Sequence, residues 1–112
     1  MNTRKKGNRN QLKAIKLLEK CGFLVSKVEQ RGRFVKEKDL FGLFDICCIN
    51  NDEVRFVQIT SNRPHSHKKF MAFSKKYQPV SVVYQQWVWY DRCGWKIFDY
   101  PKGKKYVADM RV

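Results

Sequence analysis

Two short runs rich in Phe, Ile and Val, residues 44–49 (FDICCI) and 54–60 (VRFVQIT), flank the tetrapeptide Asn50-Asn51-Asp52-Glu53. Turn chemistry between two β-prone runs predicts a hairpin, and a hairpin commits the middle of the chain to a sheet. Symmetry about Asn51 and Asp52 pairs Ile49 with Val54, Cys47 with Phe56 and Asp45 with Gln58. Side chains alternate between the two faces of a strand, so Asp45, Gln58 and Thr60 fall on one face. A carboxylate, an amide and a hydroxyl are thereby gathered at the end of two otherwise apolar strands. On the residues alone, the plainer reading makes Asp45 an acceptor that fixes the loop around Gly42, with Gln58 and Thr60 facing solvent.

The rest of the chain supplies partners for that hairpin. Asn8 or Asn10 can cap a helix running to about Lys20. Leu12, Ile15, Leu18 and Cys21 fall at helical spacing, Ala14 and Leu17 widen the apolar side, and Lys13, Lys16 and Lys20 form its exposed edge. Gly22 sits where a left-handed helix end belongs. Residues 23–30 alternate as a strand, and 31–38 (RGRFVKEK) read as a turn or flap. After Thr60, Ser61-Asn62-Arg63-Pro64 breaks the strand, and a helix is expected over 65–77. Lys68, Lys69, Lys75 and Lys76 dress its surface, while Phe70, Met71 and Phe73 form its buried side. Residues 80–90 (VSVVYQQWVWY) are the strongest β run in the chain. A turn at 91–94 and an antiparallel return over 95–100 follow, then a basic exit at 101–105 and an ambiguous tail.

The expected order is α-β-β-β-α-β-β. The helix between the third and fourth strands permits a parallel crossover, so the fold class is α/β, a mixed sheet flanked by helices. At 112 residues this is a single domain, residues 1–112.

Charge says more about partners than about fold. The 24 Lys and Arg against 10 Asp and Glu give a formal net charge of +14, far more than solubility needs. A polyanion is the expected partner, and nucleic acid the first candidate. No apolar run approaches membrane-spanning length, and the first ten residues lack the apolar core of a signal peptide, so an intracellular, cytoplasmic protein with no membrane partner is expected. Cys21, Cys47, Cys48 and Cys93 show neither metal-ligand spacing nor a disulfide pattern and read as small buried hydrophobes.

The strand order, with one Asp on the second strand opposite a polar pair on the third, resembles the PD-(D/E)XK nuclease superfamily. Its restriction-endonuclease-like core has the order αβββαβ, and the archaeal Holliday junction resolvase branch is the nearest in pattern. Lys6-Gly7 leads into the first helix, and Gly22-Phe23 closes it. Asp45, within Phe44-Asp45-Ile46, falls on the family aspartate. Gln58-Ile59-Thr60-Ser61 falls on the Glu-x-Lys-Ser segment, so Gln58 stands for the glutamate and Thr60 for the lysine. Gln11 stands for the first-helix glutamate.

The resemblance implies catalytic positions at Gln11, Asp45, Gln58 and Thr60. It implies Mg²⁺ held by Asp45 and Gln58, since such nucleases use acidic oxygens to hold the ion. It also implies a homodimer. Lys68 or Lys69 is a candidate for the missing lysine, Glu37 or Asp39 for a second carboxylate, and His65 and His67 for phosphate contacts. Lys5, Lys6, Arg9, Lys13, Arg31, Arg33, Arg63, Lys68 and Lys69 are the candidate nucleic-acid contacts.

Three functions are open at this level. The first is a Mg²⁺-dependent endonuclease on duplex or branched DNA. The second is a binding module with the same fold and an inactive centre. The third is an RNA-binding subunit that stacks bases on Trp87, Trp89, Tyr90 and Trp95. DNA is favoured over RNA.

Overall fold

The computed structural model describes residues 3–28, 40–101 and 104–107, with side chains over 9–28 and 40–101. Arg31, Arg33, Glu37 and Asp39, the expected flap and the end of the first expected strand lie outside the described residues. Among them the chain runs α1 (Thr3–Lys20), β1 (Leu24–Lys27), β2 (Ile46–Ile49), β3 (Val54–Ser61), α2 (His67–Lys76), β4 (Val82–Tyr90), β5 (Gly94–Tyr100) and β6 (Lys104–Val107). The strands form one sheet in chain order, β1 to β6. Every neighbouring pair is antiparallel except β3 and β4, which are parallel and joined through α2. The expected α/β mixed sheet is therefore observed, extended by one strand: β6 forms where only a basic exit was read.

The central hairpin has the register expected from its symmetry, with Ile49 opposite Val54 and Cys47 opposite Phe56. Its turn is held by Asn50, whose Oδ1 accepts from the N–H groups of Asp52 and Glu53 at 2.8 and 2.9 Å. Alternation along the strands then builds two cores. Val57, Ile59, Trp87, Trp95 and Ile97 pack with Ala14 and Leu18 of α1 on one face. Phe56, Tyr84, Phe98 and Tyr100 pack with Phe44 and Phe70 of α2 on the other.

Helix α1 starts earlier than expected. Asn8 and Asn10 are interior, and neither is its cap. The buried stripe is Asn10, Ala14 and Leu18, one turn apart, so Leu12 points outward at 57% exposure and Cys21 is also exposed. At the other end the expectation holds. Gly22 has φ +96°, and the Gly22 and Phe23 N–H groups close back onto the carbonyls of Glu19 and Leu18. Phe23 and Leu18 meet in the core beneath, which completes a Schellman end.

The tryptophans are core. Trp87 and Trp95 are buried, and Trp95 meets the rings of Trp87 and Trp89 edge-on at 5.5 and 5.2 Å. Lys13 lies 3.9 Å above the Trp89 ring, and Lys96 lies 4.7 Å above the half-buried Tyr90. The platform for base stacking is thus largely spent on packing.

The cysteines divide by burial. Cys21 and Cys93 are exposed, so reading all four as buried hydrophobes needs correction. Cys48 is buried, and desolvation pushes its thiol up to about 11. At pH 8 about one Cys48 in a thousand is then thiolate. Brief iodoacetamide treatment followed by peptide mass spectrometry should find Cys21 and Cys93 alkylated and Cys48 intact until the fold is opened. Alkylation of Cys48 at the pace of Cys21 would contradict this packing.

Candidate functional site

Asp45 sits immediately before β2 begins. Its backbone is held on both sides: its N–H donates to the Val57 carbonyl at 3.0 Å, and its carbonyl accepts from Val28 at 2.9 Å. Its side chain then takes over the ladder, with Oδ1 accepting from the Ile59 N–H at 3.1 Å. Oδ2 accepts from Nε2 of Gln11 on α1 at 2.8 Å. The residue is 7% exposed. One turn's side of α1 is thus tied to the hairpin end, and next to it Asn10 donates to the Ser61 hydroxyl.

Gln58 and Thr60 are buried on the face of β3 that carries Phe56. The structure brings Gln11 onto Asp45 and sets Gln58 and Thr60 on the strand that Asp45 holds. Three buried oxygens here, Gln11 Oε1, Gln58 Oε1 and Thr60 Oγ1, have no hydrogen-bond partner. Buried polar atoms are seldom left so.

Whether a divalent ion fits can be judged from the donor set. Mg²⁺ dehydrates reluctantly and is held by carboxylates completed by water or phosphate. Among the described residues no cluster of three His, Cys, Asp or Glu side chains is placed to hold a metal. The one carboxylate here already accepts from a backbone N–H and from an amide N–H, and Gln58 and Thr60 add only neutral oxygens. Above all, Gln11 presents an NH₂ group to Asp45 Oδ2, where an ion would need an oxygen lone pair. Among the described residues this donor set is short of the carboxylates by which Mg²⁺ is usually held.

The remaining candidates separate. An open cleft of about 640 Å³ lies beside Thr60 and includes Arg63 and His65 in its wall. Lys68 does not line it. Lys68 borders a different depression on α2 with Met71 and Lys75. His67 is exposed and turns its Nδ1 to the Tyr100 hydroxyl at 2.6 Å. Lys69 is exposed, Arg9 is exposed near Asn10, and Lys13 is half-buried against Trp89. Lys5 and Lys6 lie in the first turns of α1.

Sequence reasoning missed Gln86, which has no exposed surface. Its Oε1 accepts from the His65 N–H at 2.6 Å, and its Nε2 donates to the Tyr100 hydroxyl at 3.0 Å. Burial raises the Tyr100 phenol above its ordinary value, against the lowering effect of the Gln86 bond, so the phenol keeps its proton. The one signal was a pair of glutamines inside an apolar strand.

A mixed sheet with a helix packed on each face, a parallel third and fourth strand, and a carboxylate at the end of the second defines an α/β fold of restriction-endonuclease-like architecture. Among solved structures the chain is similar to the 1.6 Å structure of Archaeoglobus fulgidus Hjc, a Holliday junction resolvase from an archaeal hyperthermophile. The TM-score is 0.60 at 15% identity, over 93% of this chain and 90% of that one. At that identity the likeness concerns the fold. No family model and no curated protein sequence matches the chain.

Proposed function

We propose that this protein binds DNA, duplex or branched, through its phosphate backbone, and that it holds the strand without hydrolysing it. The observation that carries this reading is the Gln11 amide donating to Asp45. A neutral amide stands beside the carboxylate at the place where a nuclease centre would gather further negative charge. The net charge of +14 supports a polyanionic partner, and the resolvase-like fold supports DNA. The burial of Trp87 and Trp95 weighs against an RNA-binding subunit built on stacking. A homodimer is part of the proposal and is checked by light scattering at several concentrations.

Labelled duplex, four-way junction, single-stranded DNA and RNA, each with Mg²⁺ or Mn²⁺, test the reading in one gel. Retarded DNA without shortened product is expected. For about six phosphate contacts on duplex DNA, log affinity should fall against log salt with a slope near −5. A flat salt response on both DNA and RNA would remove the nucleic-acid reading. Product that accumulates with wild type and disappears with Asp45→Asn would replace holding by cutting.

A further inference from the structure

The tryptophans are spent on packing, but three other rings reach the surface together. Phe41 is 54% exposed and Tyr77 48%. Half-buried Phe73 lies between them, its ring centroid 5.4 Å from that of Phe41 and 5.0 Å from that of Tyr77. Beneath the row, Phe56 meets Phe41 at 6.0 Å and Tyr84 meets Phe73 at 5.4 Å, so the rings are seated on the sheet. Phe41 takes its place with φ +58°, a left-handed backbone that a bulky side chain rarely adopts. That conformation costs free energy and leaves the residue more than half in water.

The charges around the row say what it suits. Helix α2 carries four lysines and no acidic residue in its ten positions. Lys69, Phe73 and Lys76 stand at i, i+4 and i+7, so cations bracket the row along one side of the helix. Lys76 Nζ lies 5.5 Å over the Tyr77 ring. A second copy docked on this patch would bring the same lysines against these, and like charges so placed oppose association. Plain duplex offers phosphates to the lysines, but its bases are paired and stacked on one another. A strand with unpaired bases offers both, phosphates for the lysines and flat π-faces for the rings. Every base has such a face, so the fit needs no particular sequence.

We infer that Phe41, Phe73 and Tyr77 form a stacking platform for unpaired bases, with Lys69 and Lys76 on the phosphates of the same strand. The protein therefore prefers DNA with a single-stranded arm to plain duplex. The inference rests on the DNA-binding reading and names the form of DNA that is taken.

Three labelled DNAs test it: a blunt duplex, the same duplex with a thymidine arm, and the same duplex with an abasic arm of equal length. The abasic arm keeps the phosphates and removes the bases. Wild type should bind the thymidine arm about tenfold more tightly than the abasic one, within the range for one stacked base. Phe41→Asn and Tyr77→Ser should each lose most of that preference. Neither changes a charge, so affinity for the abasic arm and the salt slope on blunt duplex should stay as in wild type. Asn adopts the left-handed region more readily than Phe, so the melting temperature of Phe41→Asn should lie within about 5 °C of wild type. Lost stacking is thereby separated from lost fold.

Equal affinity of wild type for the two arms would overturn the platform and leave the DNA reading intact, whatever the variants do. Variants that keep the tenfold preference would overturn it as well. If they bind all three DNAs as wild type does but fall from dimer to monomer in light scattering, the rings belong to a contact between two copies instead. A wild type that binds none of the three DNAs would overturn the DNA reading itself, and the platform with it.

Discussion

Gln11→Glu should cost the fold about 2–4 kcal/mol at pH 7, through loss of a bond to a charged acceptor and gain of a like charge. The substitution is nearly isosteric. It replaces the NH₂ that lies 2.8 Å from Asp45 Oδ2 with an oxygen. Two carboxylates so close cannot both ionise comfortably, so in the folded variant one of them titrates above its unfolded value of about 4. The penalty is therefore absent when both states are protonated and grows as pH rises through that raised value. Denaturant unfolding at pH 7 should show the full loss, and at pH 4.5 a smaller one.

A divalent cation should also relieve the penalty by bridging the two carboxylates. Millimolar Mn²⁺ is expected to raise the variant's melting temperature and leave wild type unmoved. Adding Gln58→Glu and Thr60→Lys should deepen that ion dependence. A Gln11→Glu protein as stable as wild type at pH 7 would mean that the amide does not hold Asp45. Equal stabilisation of wild type by Mn²⁺ would mean that the native centre takes an ion after all.

How much of this was legible depends on the distance over which each residue acts. The hairpin was legible because everything that sets it is local: the turn residues, the alternation, and Asn50 closing its own turn. The alternation expected to put Asp45 on one face with Gln58 and Thr60 breaks at Asp45, whose carboxylate turns to Gln11 of α1 while Gln58 and Thr60 lie on the face of β3 that carries Phe56. Asn10 was misread because Asn near a helix start is most often a cap, whereas here it is buried and its partner, Ser61, is 51 residues away. Nothing in the residues around it announces that. Strand β6 was missed for a similar reason. Lys-Lys-Tyr-Val has two β formers behind two lysines, too short a run to stand out, and becomes a strand through its pairing with β5.

At the site, spacing and resemblance pointed to Gln11, but not to its role as a donor to Asp45, which depends on how α1 lies across the sheet. Arg63 and His65 read as candidate phosphate contacts in a break after a strand, but nothing nearby told how that connection is held; Gln86, more than twenty residues later, fixes it.

Phe44→Ala should cost about 3–5 kcal/mol, the usual range for emptying a buried aromatic site. Phe44 has no exposed surface and sits among four rings, those of Phe56, Phe70, Phe73 and Tyr84, at centroid distances of 5.6–5.8 Å. Its backbone also closes the loop before Asp45 through reciprocal bonds with Leu40, at 2.6 and 3.0 Å. That loop is not relaxed: Phe41 has φ +58° and Gly42 φ +69°, two left-handed residues in a row, of which only the glycine adopts the conformation readily. The aromatic packing of Phe44 offsets that cost and sets where the next residue, Asp45, begins. Against a total stability of about 5–15 kcal/mol, the loss is a large fraction. For a domain of this length it corresponds to a fall in melting temperature of roughly 12–20 °C.

Phe44→Leu keeps most of the apolar volume and should cost about 1–2 kcal/mol. Hydrogen exchange gives a second readout. The Ile59 amide donates to Asp45 Oδ1, so in Phe44→Ala it should exchange faster than core amides on the α1 side, such as that of Trp87. Below its melting temperature the variant should still bind DNA with a wild-type salt slope, because the substitution changes no charge. If Phe44→Ala lies within 1 kcal/mol of wild type, or if the Ile59 amide is no faster than that of Trp87, then Phe44 is not what places Asp45, and the coupling between this core and the site is lost with it.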